Sequence, residues 1–167
     1  MIATIFSTPE MDQIFSGQAH VAEMLRFEAA LARAQARASI IPEQAAEQIG
    51  RACGVDLFDV PQLYRDAAVA GTLAIPLVRA LTAAVEGEGG RYVHWGATSQ
   101  DAIDTATMLQ VRAGLDVLLG RLLDLGAACA RLAEEHRATP MAGRTLLQQA
   151  LPITFGLKAA RWLGVAT

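Results

Sequence analysis

Between Tyr92 and Ala106 the sequence reads Tyr-Val-His-Trp-Gly-Ala-Thr-Ser-Gln-Asp-Ala-Ile-Asp-Thr-Ala, a dense run of chemically useful side chains. His94 offers an imidazole, which can donate to an anion or move a proton near neutral pH. Thr98 and Ser99 offer hydroxyls and Gln100 an amide, and all three stand where a long helical pattern begins. The first turn of a helix exposes unpaired backbone N–H groups and the positive end of the peptide dipoles. Hydroxyl, amide and backbone donors gathered there suit a carboxylate. A plainer reading stands beside this one: Ser99 or Asp101 merely caps the helix, with Asp104 in its first turn. The pattern alone leaves both open. No group of His, Cys and carboxylates has metal-ligand spacing, and no loop is built to cradle a phosphate.

The elements that must position these groups read as helices, and no segment alternates with strand period. Ser16 to Arg37 is a long amphipathic stretch with Val21, Leu25, Ala29, Ala32 and Ala36 on one face. Pro42 opens a short helix through about Cys53, in the first turn where proline is tolerated. Asp56 to Ala70 is a third helical stretch, broken by Gly71, and Pro76 to Glu86 a fourth. The run Gly87-Glu88-Gly89-Gly90 closes that helix as a flexible loop. Met108, Val111, Leu115, Leu118, Leu122, Leu125, Cys129 and Leu132 then recur at spacings of three and four, a heptad seam. Leu119 and Leu123 form a second apolar line beside it. A helix from Asp101 to Ala138 would run about 57 Å at ~1.5 Å per residue. The preceding residues, folded to a radius of gyration of about 13 Å, cannot cover it. It is expected to pack against further helices, in this chain or another. Leu151 to Thr167 reads as a last helix starting near Pro152, and the chain is expected to stop inside its own apolar pattern.

Composition agrees with helices. Hydrophobic residues make up 53% of the chain but aromatics only 5%, because Ala and Leu dominate and both favour helix. The formal net charge is −3 with no basic block, which makes nucleic acid a poor partner. No run approaches the ~18 apolar residues of a membrane span. The opening residues have no basic region followed by an apolar core, so no signal peptide is expected. Cys53 and Cys129 lie far apart, and a reduced, cytoplasmic protein is the simplest reading.

Two further stretches join the first in one resemblance. Gly96-Ala97-Thr98-Ser99-Gln100-Asp101-Ala102-Ile103-Asp104-Thr105, with His94 two residues ahead, resembles the first signature of the fumarase/aspartase superfamily. Arg144-Thr145-Leu146-Leu147-Gln148-Gln149-Ala150-Leu151-Pro152-Ile153-Thr154-Phe155-Gly156 resembles the second. Phe6-Ser7-Thr8-Pro9-Glu10-Met11 looks like the opening of its shorter members. The resemblance implies an all-α fold: an amino-terminal helical domain over 1–100, then over 101–167 the first long helices of a central bundle. It also implies homotetramers whose bundles merge, active sites shared between subunits, a cytoplasmic enzyme and no cofactor or metal. The family's third signature, a glycine-rich loop bearing a serine base, is expected beyond Thr167, so the chain by itself is expected to be inactive.

Family members bind small carboxylate substrates. The resemblance casts Thr98, Ser99 and Gln100 as ligands for those carboxylates and stabilisers of the charge that develops. His94 is the candidate catalytic residue, or else a structural histidine. Thr145 and Gln148 are expected to add polar contacts from a loop after the long helix. Arg144 is expected to pair with a substrate carboxylate, or equally to form a structural ion pair.

Among the branches, the chain looks most like the one that lactonises 3-carboxy-cis,cis-muconate during protocatechuate breakdown, through Gly71 to Val78 and Arg144 to Thr154. Adenylosuccinate lyases are the alternative. They carry Arg-Tyr where this chain has Ile5-Phe6, His-Asp where it has Ala74-Ile75, and His where it has Leu146. A carboxylate leaving group, of pKa about 4, departs without a general acid, whereas an amine or alkoxide needs one. Loss of that histidine therefore harms a lyase more than a cycloisomerase. A non-catalytic helical oligomerisation module is the third reading.

Overall fold

A computed structural model describes residues 5–166. The expectations for residues 1–4 and for Thr167 lie outside it. Among the described residues seven α-helices and one hairpin follow in order: α1 Pro9–Ile14, α2 Gly17–Arg37, α3 Glu43–Ala52, α4 Val60–Ala70, α5 Ala74–Ala84, α6 Ser99–Glu135, β1 Pro140–Thr145, β2 Gln148–Thr154 and α7 Phe155–Ala166. The fold is mainly helical, as the composition implies. Two compact units divide inside α6, one ending at Gly114 and the other beginning at Leu115.

Local chemistry accounts for the boundaries in the first unit. Ser16 caps α2 by accepting from the Ala19 N–H at 3.1 Å, and Asp59 caps α4 by accepting from Gln62 at 3.0 Å. Gly71 ends α4 in the left-handed region at φ 77°, where a side chain would be strained. Pro42 stands at the cap position just ahead of α3 rather than within its first turn. The expected helix from Asp56 divides into a 3₁₀ turn over Val55–Leu57 and α4, because the chain must turn at Asp59 before Pro61 can start a helix. Helix α5 begins two residues ahead of Pro76, which occupies its first turn.

Val21, Met24 and Leu25 of α2, Ile49 of α3, and Leu77 and Leu81 of α5 are almost fully buried and form the core. Each such side chain contributes roughly 1.5–3 kcal/mol through burial. Ala102 and Ala106 seat the first turns of α6 in the same core. The glycine run expected as a flexible loop is instead a 3₁₀ segment, Gly87–Tyr92, laid on α3. Gln48 accepts from the Gly89 N–H at 2.9 Å, and a Cβ at Gly87 or Gly89 would collide with that glutamine.

The second unit corrects the sequence reading more sharply. Leu151 does not open a helix: β1 and β2 form an antiparallel hairpin with a bulge between Ala142 and Arg144, and α7 starts only at Phe155. Strand β2 is exposed along both faces from Gln148 to Pro152, so it shows no alternation for sequence inspection to find. Pro152, which has no N–H to give, is tolerated in a two-stranded ribbon. Phe155 N–H donates to Thr139 O and Gly156 N–H to His136 O, both at 2.9 Å, which turns the chain into α7. Gly156 sits so close to the end of α6 that a Cβ would meet Ala133 O at 2.6 Å and Arg137 Cα at 2.8 Å.

The seam leucines of α6 remain open to solvent. Leu115, Leu118, Leu122 and Leu125 keep 43–52% of their surface, and Leu123 76%. Among the seam residues beyond Gly114, only Cys129 is buried.

Candidate active site

Helix α2 builds the support for the first polar group. Glu28 and Gln35 stand seven residues apart and so share a helix face, two turns from one another. Glu28 Oε1 lies 2.6 Å from His94 Nδ1, and Gln35 Nε2 donates to the Trp95 carbonyl at 2.6 Å. Together they pin the loop between Tyr92 and Thr98. That loop needs pinning, because His94 adopts φ 57° and Gly96 φ 69°. A left-handed histidine is uncommon and is held only where surroundings fix it.

Glu28 is 3% exposed. Burial pushes its carboxyl above the ordinary range, and the His94 hydrogen bond and charge pull it partly back. An ionised Glu28 accepts from Nδ1–H, which fixes the tautomer and leaves Nε2 as the nitrogen available for chemistry. The Glu28–His94 couple was not recognised in the sequence. Its signal was a carboxylate set inside an apolar stripe, between Leu25 and Ala32 on the buried face of α2.

Thr98, Ser99 and Gln100 follow directly. Ser99 is the first residue of α6. The Thr98 N–H donates to Asp101 Oδ2 at 2.9 Å, so the capping role of Asp101 is met. Gln100 Nε2 donates to Asp104 Oδ1, which orients that amide from the first turn. The backbone N–H groups of Ser99 and Gln100 find no acceptor among the described residues. Two open donors, a hydroxyl and the helix dipole therefore stand together within six residues of His94.

The second polar group lies in the other compact unit. Arg144 and Thr145 end β1, opposite Gln149 and Gln148 respectively, and Leu146-Leu147 form the tip. The expected loop is thus a hairpin end. Leu147 takes φ 60° and is 98% exposed, and Leu146 is 88% exposed. Arg144 makes no ion pair among the described residues.

His20 and His136 serve structure. His20 Nδ1 meets Gln110 Oε1 at 2.7 Å while Gln110 donates to Ile14 O, tying α6 to the start of α2. His136 packs edge-on to Phe155 with centroids 5.0 Å apart. Burial, with the nearby Glu28 charge, pushes the Cys53 thiol up to about 12, so it is no nucleophile at neutral pH, and Cys129 is buried away from solvent. No group of three or more His, Cys, Asp or Glu among the described residues could hold a metal. Among the described residues no helix is long and apolar enough to cross a membrane.

Against this geometry, comparison with known proteins is direct. Residues 6–167 match the family model described as Lyase, and the chain belongs to that family. A 3-carboxy-cis,cis-muconate cycloisomerase from Bradyrhizobium diazoefficiens is 48% identical over 97% of this chain and 37% of its own length. A nitrosuccinate lyase from Streptomyces davaonensis is 43% identical over 100% of this chain and 36% of its own. The crystal structure of 3-carboxy-cis,cis-muconate lactonizing enzyme from Pseudomonas putida superposes with a TM-score of 0.95 at 43% identity, over 99% of this chain and 39% of that one. The chain thus spans little more than a third of the length of these relatives.

Proposed function

We propose that this chain supplies the amino-terminal part of a cycloisomerase that lactonises 3-carboxy-cis,cis-muconate in protocatechuate breakdown. Residues 1–100 act as the amino-terminal domain and 101–167 as the start of the long-helix bundle, working as a cytoplasmic homotetramer. The supporting observation is the Glu28–His94 couple set five and six residues before the open N–H groups of Ser99 and Gln100 in α6. In the reaction one substrate carboxylate adds across a double bond, and the carbanion formed beside another carboxylate is protonated. Thr98, Ser99 and Gln100 bind a carboxylate and stabilise the charge that develops on it. His94, held by Glu28, orients that group or donates to it. Arg144, Thr145 and Gln148 bind substrate carboxylates from the hairpin.

A second reading, elimination from a succinate derivative, is favoured by the identity with the nitrosuccinate lyase. Leu146 argues against those eliminations that must protonate an amine or alkoxide, because an apolar side chain at that position offers no acid. The test is loss of 3-carboxy-cis,cis-muconate ultraviolet absorbance with this chain alone and with the full-length protein that contains it. Turnover by the full-length protein and none by the 167-residue chain is expected. Turnover of adenylosuccinate or another amine-releasing substrate in place of muconate would overturn the reading. In the full-length protein, Leu146→His is expected to leave the lactonisation rate within about threefold, since a carboxylate of pKa about 4 needs no acid to leave or add. A gain of tenfold or more would refute that argument.

A further inference from the structure

A cavity of about 290 Å³ opens between the hairpin and α7, within the second compact unit. Met141, Ala142, Ile153 and Leu157 form its apolar walls, and Arg144, Lys158 and Arg161 supply every charge on its lining. No carboxylate of the described residues lines it. None of the three cations forms an ion pair among the described residues, in a chain whose net charge is −3. Three unneutralised cations around one cavity repel one another, a cost that an anion between them removes.

Each cation has a structural reason for its place. Arg144 stands two residues after Ala142 on β1, so strand alternation sets the two along the cavity together. Lys158 and Arg161 lie three residues apart, on one face of α7. The Lys158 ammonium rests 5.2 Å from the centre of the Trp162 ring, which limits where that flexible side chain can go.

We propose that this cavity is a binding site for a small organic anion with two or three carboxylates, held by Arg144, Lys158 and Arg161. Three cations match three carboxylates in charge, and the apolar walls favour a carbon skeleton over an inorganic oxyanion. The choice of a polycarboxylate rests on the function proposed above; the site itself rests on the cavity and its charges.

Calorimetric titration of the 167-residue chain with propane-1,2,3-tricarboxylate tests it, with acetate and sulfate as comparison ligands. One-to-one binding of the tricarboxylate is expected, weakened roughly fivefold or more by Lys158→Gln and again by Arg161→Gln. Arg26→Gln, on α2, is expected to leave it unchanged. Sulfate binding as tightly as the tricarboxylate would make this a general anion site and overturn the proposal. Equal weakening by all three substitutions would reduce it to overall charge, and would overturn it as well. Circular dichroism of each variant separates loss of the site from loss of the fold. The titration involves no turnover, so the two readings fail separately. A full-length protein inactive on muconate, with Lys158-dependent binding intact, defeats the function alone. An active protein without that binding defeats the site alone.

Discussion

Gly156→Ala should dislocate the hairpin from its support. A methyl group at this position meets Ala133 O at 2.6 Å, Arg137 Cα at 2.8 Å and His136 O at 2.8 Å. All three are backbone atoms, so no side chain can swing aside. Ordinary contact begins near 3.4 Å, and relief requires α7 to move about 0.6–0.8 Å from the end of α6. Overpacking of this kind costs about 1–3 kcal/mol. The same movement lengthens the bond from Gly156 N–H to His136 O, worth about 0.5–1.5 kcal/mol net. The gain in helix propensity of alanine over glycine offsets about 1 kcal/mol. A net loss of about 0.5–3.5 kcal/mol remains. Gly164→Ala is the control on the same helix, because no atom lies within 4 Å of its Cβ position. It should gain a few tenths to ~1 kcal/mol. Urea unfolding followed by Trp162 emission, in a Trp95→Phe background, reads the second unit directly. With a slope of about 1–3 kcal/mol per molar urea, the midpoints of the two variants should differ by about 1 M. Coincident midpoints would falsify the close-approach argument.

Two further predictions follow from burial. Glu28 has a folded-state pKa above its ordinary value near 4.5, so its contribution to stability is complete below that value and is lost as pH rises through the folded pKa. Glu28→Gln removes this titration, and its melting temperature should therefore rise relative to the native chain across that window; a relative fall would contradict the sign. Leu118→Lys with Leu122→Lys places charge at two exposed seam positions. Secondary structure should survive, since exposed substitutions cost within about 0.5 kcal/mol each. Self-association of the chain, measured by sedimentation at several concentrations, should weaken, and an unchanged mass distribution would remove the seam as an interface.

The helices were legible wherever a single buried face imposed its period. Val21, Leu25 and Ala32 announce α2, and the leucine seam announces α6 within three residues at either end. The hairpin was illegible for the converse reason: with β2 exposed on both faces, no burial pattern is written into Gln148 to Pro152. What fixes it is cross-strand pairing and the turn of the chain at Phe155, neither of which leaves a periodic trace. The polar residues ahead of α6 could be picked out because helix starts have a recognisable chemistry. Their supports could not, since Glu28 and Gln35 lie 66 and 60 residues from their partners in sequence. Only the oddity of a carboxylate in an apolar stripe hinted at the first.

The state of the two cysteines has a practical use. With one thiol raised to about 12 and the other walled off from solvent, the native chain offers thiol reagents little to attack. A thiol of pKa 12 is ionised to about one part in 10⁵ at pH 7, against a few per cent for an ordinary one. Alkylating probes and spin labels should therefore pass the native chain by. A cysteine introduced at Leu147, 98% exposed at the hairpin tip, would be the sole reactive handle without any prior removal of the natural pair. The molecule comes ready for labelling at a single chosen site.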